Sequence, residues 1–259
     1  MKKPSKITPR YVGLEHAGRV EKLSREEIRD RFGRETASAY SQRDLIWMPE
    51  FRQMIGMIPE LLRSRLPAHA IILDLGAGTG NLSRTVLEAL PEVKIALMDF
   101  SENMLSEVPN VLTDFPGRYE ILRDDFIEAD FGVERYAAVI SSFAIHHCRG
   151  EAEYSRLYGR LFKALQPGGI FVCCDVVAGA DEVLTQLNED GWRSLLRNEN
   201  LSEKDIERIL ANYHIEDSPL DLGSHLRLLK EAGFSIVDVV WKRINFAVYT
   251  AIRAQEIGL

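Results

Sequence analysis

Leu73-Asp74-Leu75-Gly76-Ala77-Gly78-Thr79-Gly80-Asn81 decides the reading of this chain. The apolar run Ala70-Ile71-Ile72-Leu73-Asp74-Leu75 predicts a strand, and the pattern over 79–90 predicts a helix opening directly after the glycines. Glycines in such a turn reach positive φ without steric cost and let backbone approach a ligand closely. In an open α/β sheet this strand-to-helix turn is the usual ligand crevice. The spacing excludes the dinucleotide fingerprint. Gly-x-Gly-x-x-Gly would need glycine at Asn81, or at Ser83 if it began at Gly78. The pattern present is Asp-x-Gly-x-Gly-x-Gly, and a carboxylate at Asp74 suits an ammonium group and repels a pyrophosphate.

Outward from the loop, short apolar runs over 93–98, 118–122, 136–142 and 169–177 alternate with helical patterns over 101–107 and 151–165. Continuous apolar strands alternating with helices predict a parallel sheet covered on both faces. After residue 178 the strand pattern lapses. Helical patterns over 181–197, 202–213 and 220–232 follow, and then two runs over 235–241 and 244–252, joined by Lys242-Arg243. So short a link predicts a hairpin, with one strand antiparallel to the rest. Before the loop, helices are expected over 27–39 and 50–64, the first opened by a capping-box spacing from Ser24 to Glu27. The expected organisation is an N-terminal arm and helical cap (1–66), a cofactor-binding α/β core (67–177), a helical lid (178–220), and a helix and hairpin completing the core (221–259).

Composition fits an ordinary globular enzyme: 259 residues, 46% apolar and 27% charged. Charge is uneven. Residues 1–66 carry 14 Lys/Arg against 9 Asp/Glu, and the remainder carries 18 against 30. A basic cap can face an anionic substrate or RNA, but the acidic remainder argues against a broad nucleic-acid surface. No stretch of 18 apolar residues predicts a membrane span. Three cysteines, Cys148, Cys173 and Cys174, lack metal spacing and suit a reducing cytoplasm. Adjacent Cys173 and Cys174 should point to opposite faces of a strand.

Asp99 ends the second strand, where a carboxylate can accept the two hydroxyls of a ribose. Phe100 and Met104 open the next helix and can flank an adenine. Asp125 can accept from an adenine amino group, while Phe126 offers a backbone N–H. The run Ala138-Val139-Ile140-Ser141-Ser142-Phe143-Ala144-Ile145-His146-His147 closes the fourth strand, and Leu161-Phe162-Lys163-Ala164-Leu165-Gln166-Pro167-Gly168-Gly169 precedes the fifth. Together with Leu228-Leu229-Lys230-Glu231-Ala232-Gly233-Phe234, these segments lie in order along a chain that resembles the class I S-adenosylmethionine-dependent methyltransferases over roughly residues 28–253.

The resemblance implies a doubly wound, seven-stranded, mostly parallel sheet with an antiparallel last strand. It implies S-adenosyl-L-methionine as cofactor and a small-molecule methyl acceptor. The implied cofactor-binding residues are Tyr40, Arg43, Asp74, Gly76, Ala77, Gly78, Gly80, Asp99, Phe100, Met104, Asp125, Phe126 and Ser141. Tyr40 would close the pocket from an N-terminal helix, and Arg43 would neutralise the methionine carboxylate. Trp241-Lys242-Arg243-Ile244-Asn245-Phe246 is also similar to enzymes that make or use carboxy-S-adenosylmethionine for wobble-uridine modification of tRNA. A non-catalytic cofactor-binding protein is a further alternative.

Methyl transfer from a sulfonium needs alignment and exclusion of water, and a base only where the acceptor must lose a proton. His146 is the candidate base, with His147 behind it. No metal is expected at this pair, because no Asp/Glu cluster accompanies it in the sequence. Trp192 and Tyr213 are candidates to line the acceptor pocket, and Asp175 is a further candidate contact.

Overall fold

The computed structural model describes residues 21–34 and 50–255. The order of elements is α1 (Arg25–Arg34), α2 (Phe51–Arg63), β1 (Ile71–Leu75), α3 (Asn81–Ala89), β2 (Lys94–Asp99), α4 (Glu102–Leu105), α5 (Val108–Val111) and β3 (Tyr119–Arg123). There follow β4 (Tyr136–Ser142), a single 3-10 turn (Ile145–His147), α6 (Gly150–Ala164), β5 (Leu165–Val176), α7 (Glu182–Asn198), α8 (Glu203–Glu216), α9 (Leu222–Glu231), β6 (Ile236–Arg243) and β7 (Phe246–Ile252).

The seven strands form one sheet in the order β3-β2-β1-β4-β5-β7-β6. Strands β1 to β5 pair in parallel, and β7 runs antiparallel to both β5 and β6. The strand order reverses between β1 and β4, so the crevice beyond their carboxyl ends is the switch point of the sheet. Alternate residues of each strand serve opposite cores. Ile72, Ile140, Val172 and Cys174 pack on the side of α2 and α3. Leu73, Val139, Phe171 and Cys173 pack on the side of α6 and α9. The two adjacent cysteines thus face opposite layers, and all three cysteines are free and buried.

Several expectations shift in detail. The helix expected over 101–107 is two short helices, with Pro109 in the first turn of α5. The hairpin link is not Lys242-Arg243. β6 continues through Arg243, which pairs with Phe246, and the chain turns at Ile244-Asn245. A two-residue hairpin favours positive φ, and here Ile244 adopts it at +47°. The capping box forms in both directions: Ser24 N–H donates to Glu27 Oε2 at 2.7 Å, and Glu27 N–H donates to Ser24 Oγ at 3.2 Å.

The segment after β5 folds as two helices, N-capped by Asp181 and Ser202, whose side chains accept from Leu184 and Asp205 N–H. These helices are not a loose flap. Leu196, Ile206, Ile209 and Leu210 join the same apolar cluster as α2. Trp192 packs edge-on against Phe246 and Tyr213, each with ring centroids 5.5 Å apart. Among the described residues no helix is long and apolar enough to cross a membrane.

Candidate active site

The glycine loop leaves β1 and enters α3 through three left-handed residues, Gly76 (φ +63°), Gly78 (+54°) and Gly80 (+90°). Their reasons differ. A Cβ on Gly76 would lie 2.2 Å from the Cβ of Ala144, so glycine is what lets the loop pass the end of β4. Gly80 is the N-cap of α3 and backs onto Leu97, a packing role rather than an open one.

Asp99, at the carboxyl end of β2, is held by backbone. Its Oδ2 accepts from Gly78 N–H at 2.9 Å and its Oδ1 from Ser101 N–H at 2.8 Å. Burial raises its pKa, and the backbone donors oppose that shift. Each oxygen keeps a further lone pair for a ligand hydroxyl. A cleft opens beside it. Gly76, Gly78, Asp99, Phe100, Met104 and Phe126 contribute to its wall, all six expected from the sequence.

Four wall residues were not expected: Phe32, Ser101, Phe143 and Ala144. Phe32 comes from α1, with its ring 6.2 Å from Phe100 and 5.4 Å from His147. Phe143 takes a positive φ of +49° just past β4. Strained non-glycine backbone of this kind concentrates at functional sites. Phe32 carries no local sequence signal, since it reads as an ordinary helix residue.

Asp125 lies in an adjoining cleft that shares Phe100, Phe126 and His147 with the first. Its carboxylate accepts from Ile127 N–H at 3.0 Å and pairs with Arg29 of α1. α1 therefore spans both clefts. Its start is pinned by Leu23 N–H, which donates to Ile215 O at the end of α8 at 2.8 Å.

Asp74 stands behind the wall, fully buried. Ser83 Oγ donates to its Oδ2 at 2.6 Å, while Oδ1 has no hydrogen-bond partner. Desolvation pushes its pKa up to about 7, Ser83 opposes the rise and nearby Asp99 adds to it. A buried carboxylate with one orphaned oxygen at the head of this loop has the chemistry to take a cationic ligand group. Ser141 is a correction: it is fully buried, and its hydroxyl donates to Leu75 O at 2.9 Å, so it ties β4 to β1 instead of facing the cleft. Ala77 donates its N–H to Met98 O at 3.0 Å and fixes the loop. Tyr40 and Arg43 lie outside the described residues.

At the far end of the cleft the fold gathers what the sequence keeps apart. His146 Nδ1 lies 2.5 Å from Asp175 Oδ1, and His146 N–H donates to Asp175 Oδ2 at 3.2 Å. Val176 N–H also donates to Asp175, at 2.8 Å. On the other side of the ring, His146 Nε2 lies 3.4 Å from Asp217 Oδ1, and His147 Nδ1 lies 3.5 Å from the same oxygen. No Asp/Glu cluster accompanies the histidine pair in the sequence, but the fold brings carboxylates to it: Asp175 arrives 29 residues later, and Asp217 arrives from the end of α8. Trp192, expected at the acceptor pocket, is 5% exposed and packs as core.

Residues 72–169 match the family model described as a methyltransferase domain. Curated relatives include carboxy-S-adenosyl-L-methionine synthases. That of Nautilia profundicola is 23% identical over 86% of this chain and 94% of its own length. That of Helicobacter pylori is 24% identical over 79% of this chain and 86% of its own. Among solved structures, an O-methyltransferase family protein from Burkholderia thailandensis superposes with a TM-score of 0.66 at 18% identity, over 87% of this chain and 62% of that one. Phosphoethanolamine N-methyltransferase 2 of Haemonchus contortus, solved with S-adenosyl-L-methionine, gives a TM-score of 0.63 at 17% identity, over 90% of this chain and 60% of that one. The chain thus spans about three fifths of these two structures. The sheet order, the glycine loop and the matched domain agree: residues 72–169 match a methyltransferase domain, and the chain has the fold of the S-adenosylmethionine-dependent methyltransferases.

Proposed function

We propose that this chain moves a methyl group from S-adenosyl-L-methionine to a small-molecule acceptor. The observation that carries the acceptor class is the roof over the cleft. α1 crosses both clefts through Phe32 and the Arg29–Asp125 pair, and its start is bonded to the end of α8. A covered cleft with buried carboxylates at its far end suits a compact acceptor and disfavours a polyanion.

The residues fit the cofactor. Asp99 would hold the ribose hydroxyls, Phe100 and Met104 would flank the adenine, and Asp125 with the Phe126 N–H would read its edge. Gly76 and Gly78 would let backbone approach the methionine moiety, and Asp74 would favour its ammonium through the loop. When bound, S-adenosylmethionine supplies a methyl already activated by its sulfonium. The chain's own tasks are then to orient the acceptor, exclude water and remove a proton where one must leave. Asp175, fixed by two backbone N–H groups, holds His146 at Nδ1 and leaves Nε2 as the proton-accepting nitrogen. In organisation, we read 1–66 as cap, 67–177 as cofactor core, 178–220 as the acceptor-side insertion and 221–259 as completing the core.

A second reading is supported by the relatives named carboxy-S-adenosyl-L-methionine synthases, which align along most of the chain. On that reading the chain makes or uses a carboxylated form of the cofactor.

One experiment separates the readings. Isothermal titration with S-adenosyl-homocysteine is paired with mass spectrometry of the nucleotide that co-purifies. Binding at micromolar affinity or tighter, with adenosyl-methionine or adenosyl-homocysteine bound, supports methyl transfer, and an acceptor screen follows. A bound species heavier by one carboxylate group moves the reading to the second. No binding overturns both.

A further inference from the structure

We infer that His146, His147 and Asp217 form a binding site for a divalent transition-metal ion, of the Zn(II) or Co(II) class, at the acceptor end of the cleft. One donor atom from each residue lies within 4.8 Å of the other two. The two distances to Asp217 Oδ1, 3.4 Å and 3.5 Å, are those of ligands that can share an ion. Metal–ligand bonds of about 2.0–2.1 Å give a tetrahedron with edges of about 3.3 Å. An octahedron at similar bond lengths has edges of about 3.0 Å, a poorer match. Two imidazoles and one carboxylate are a donor set that suits these ions, and three protein ligands leave one position open.

The surroundings support the assignment. A histidine that binds a metal through one nitrogen commonly gives its other N–H to a carboxylate, which fixes the tautomer and strengthens the ligand. His146 has that arrangement: Asp175 occupies Nδ1, and Nε2 faces Asp217. Among the described residues, the carboxylates of Asp175, Asp217 and Glu216 stand here with Arg31 and Lys22. Both histidines are largely buried, and His147 also belongs to the cleft wall. The ion would therefore sit beside the point where an acceptor meets the cofactor.

Such a site extends the proposed function without depending on the acceptor's identity. His146 Nε2, His147 and Asp217 would hold the metal, His146 would then act as ligand in place of base, and the metal would supply the acidity of a hydroxyl or water bound at the open position.

The test uses the full chain, stripped with a chelator and titrated with Co(II). Expected are one Co(II) per chain, the intense visible bands of tetrahedral cobalt and their loss on adding Zn(II). Asp217→Asn and His147→Ala should each weaken Co(II) binding by about tenfold or more. Circular dichroism and the urea unfolding midpoint check that each variant stays folded. His147 has the more exposed side chain of the two histidines, so His147→Ala carries the test alone if Asp217→Asn does not fold. A cobalt spectrum that stays that of the free aqueous ion, or equal affinity in the wild type and a folded variant, overturns the site. Retained S-adenosyl-homocysteine binding in that case leaves the cofactor reading intact.

Discussion

The cofactor end of the cleft is built within one stretch of chain. β1, the glycine loop, α3, β2 and α4 follow one another from Ile71 to Leu105, and Asp99 is fixed by the N–H groups of Gly78 and Ser101. The histidine end is built from distant pieces. His146 and His147 come from the turn after β4, Asp175 from the end of β5, and Asp217 from the end of α8. At the first end, backbone N–H groups fix the candidate ligand-binding carboxylate. At the second, side chains meet only because separate elements pack. A substitution in the loop should therefore act on one ligand through geometry, while one in the packed helices should act through stability.

Gly76→Val should give the largest effect. Any Cβ at this position overlaps the Ala144 side chain, and the +63° φ strains every L-residue. Binding of S-adenosyl-homocysteine should fall below detection by titration calorimetry. Gly78→Val, at φ +54°, is the companion at the cleft wall. If either variant keeps the wild-type affinity, backbone approach is not how this end recognises its ligand.

Trp192→Ala probes the packed helices. The side chain is 5% exposed and wedged between Phe246 and Tyr213. Removing a buried indole costs about 3–5 kcal/mol, which should appear as a lower midpoint in urea unfolding. S-adenosyl-homocysteine affinity should be unchanged in the folded fraction. An equal loss of cofactor affinity would show that the two ends are mechanically one.

The contrast also accounts for what the sequence made legible. The alternation of strands and helices, an antiparallel strand in the last hairpin, the opposed Cys173 and Cys174 and the roles open to Asp99 follow from period, spacing and motif, which are local properties. Ser141 misled because a strand-end residue in a matching motif can point either way, and here its hydroxyl was needed by Leu75. Asp217 carried no signal: it reads as an ordinary residue after a helix, and only the docking of α8 beside the 3-10 turn brings it to His146. Phe32 was equally silent until α1 was placed over the sheet. The hairpin turn was misplaced by two residues because Ile244, a β-branched residue, is a poor sequence marker for positive φ.

Asp99→Ala should weaken S-adenosyl-homocysteine binding by about tenfold to a hundredfold, the loss of charge-assisted hydrogen bonds. The fold should persist, because Gly78 and Ser101 N–H can be served by water in an opened cleft. An unchanged dissociation constant would remove Asp99 from the site.

The smallest effect tests whether backbone alone explains the cofactor end. Asp74 is buried behind the loop with its pKa raised to about 7, mainly by desolvation. Between the ordinary carboxyl value near 3.8 and about 7, the folded chain holds a proton that the unfolded chain has lost. Stability without ligand should therefore decline as pH rises through that window. A cationic group on the ligand prefers the ionised carboxylate, so cofactor affinity should move the opposite way and rise by about tenfold between pH 6 and pH 8, with proton release on binding. Asp99 is raised in the same direction, so the wild-type profile alone does not say which carboxylate titrates. Asp74→Asn separates them: it keeps a hydrogen-bond acceptor for Ser83 and cannot ionise. If Asp74 is the titrating partner, the variant has a flat affinity profile and is the more stable of the two ligand-free chains at pH 8. If the slope survives in the variant, it belongs to Asp99, and recognition of the ammonium rests on the glycine loop without help from the carboxylate behind it.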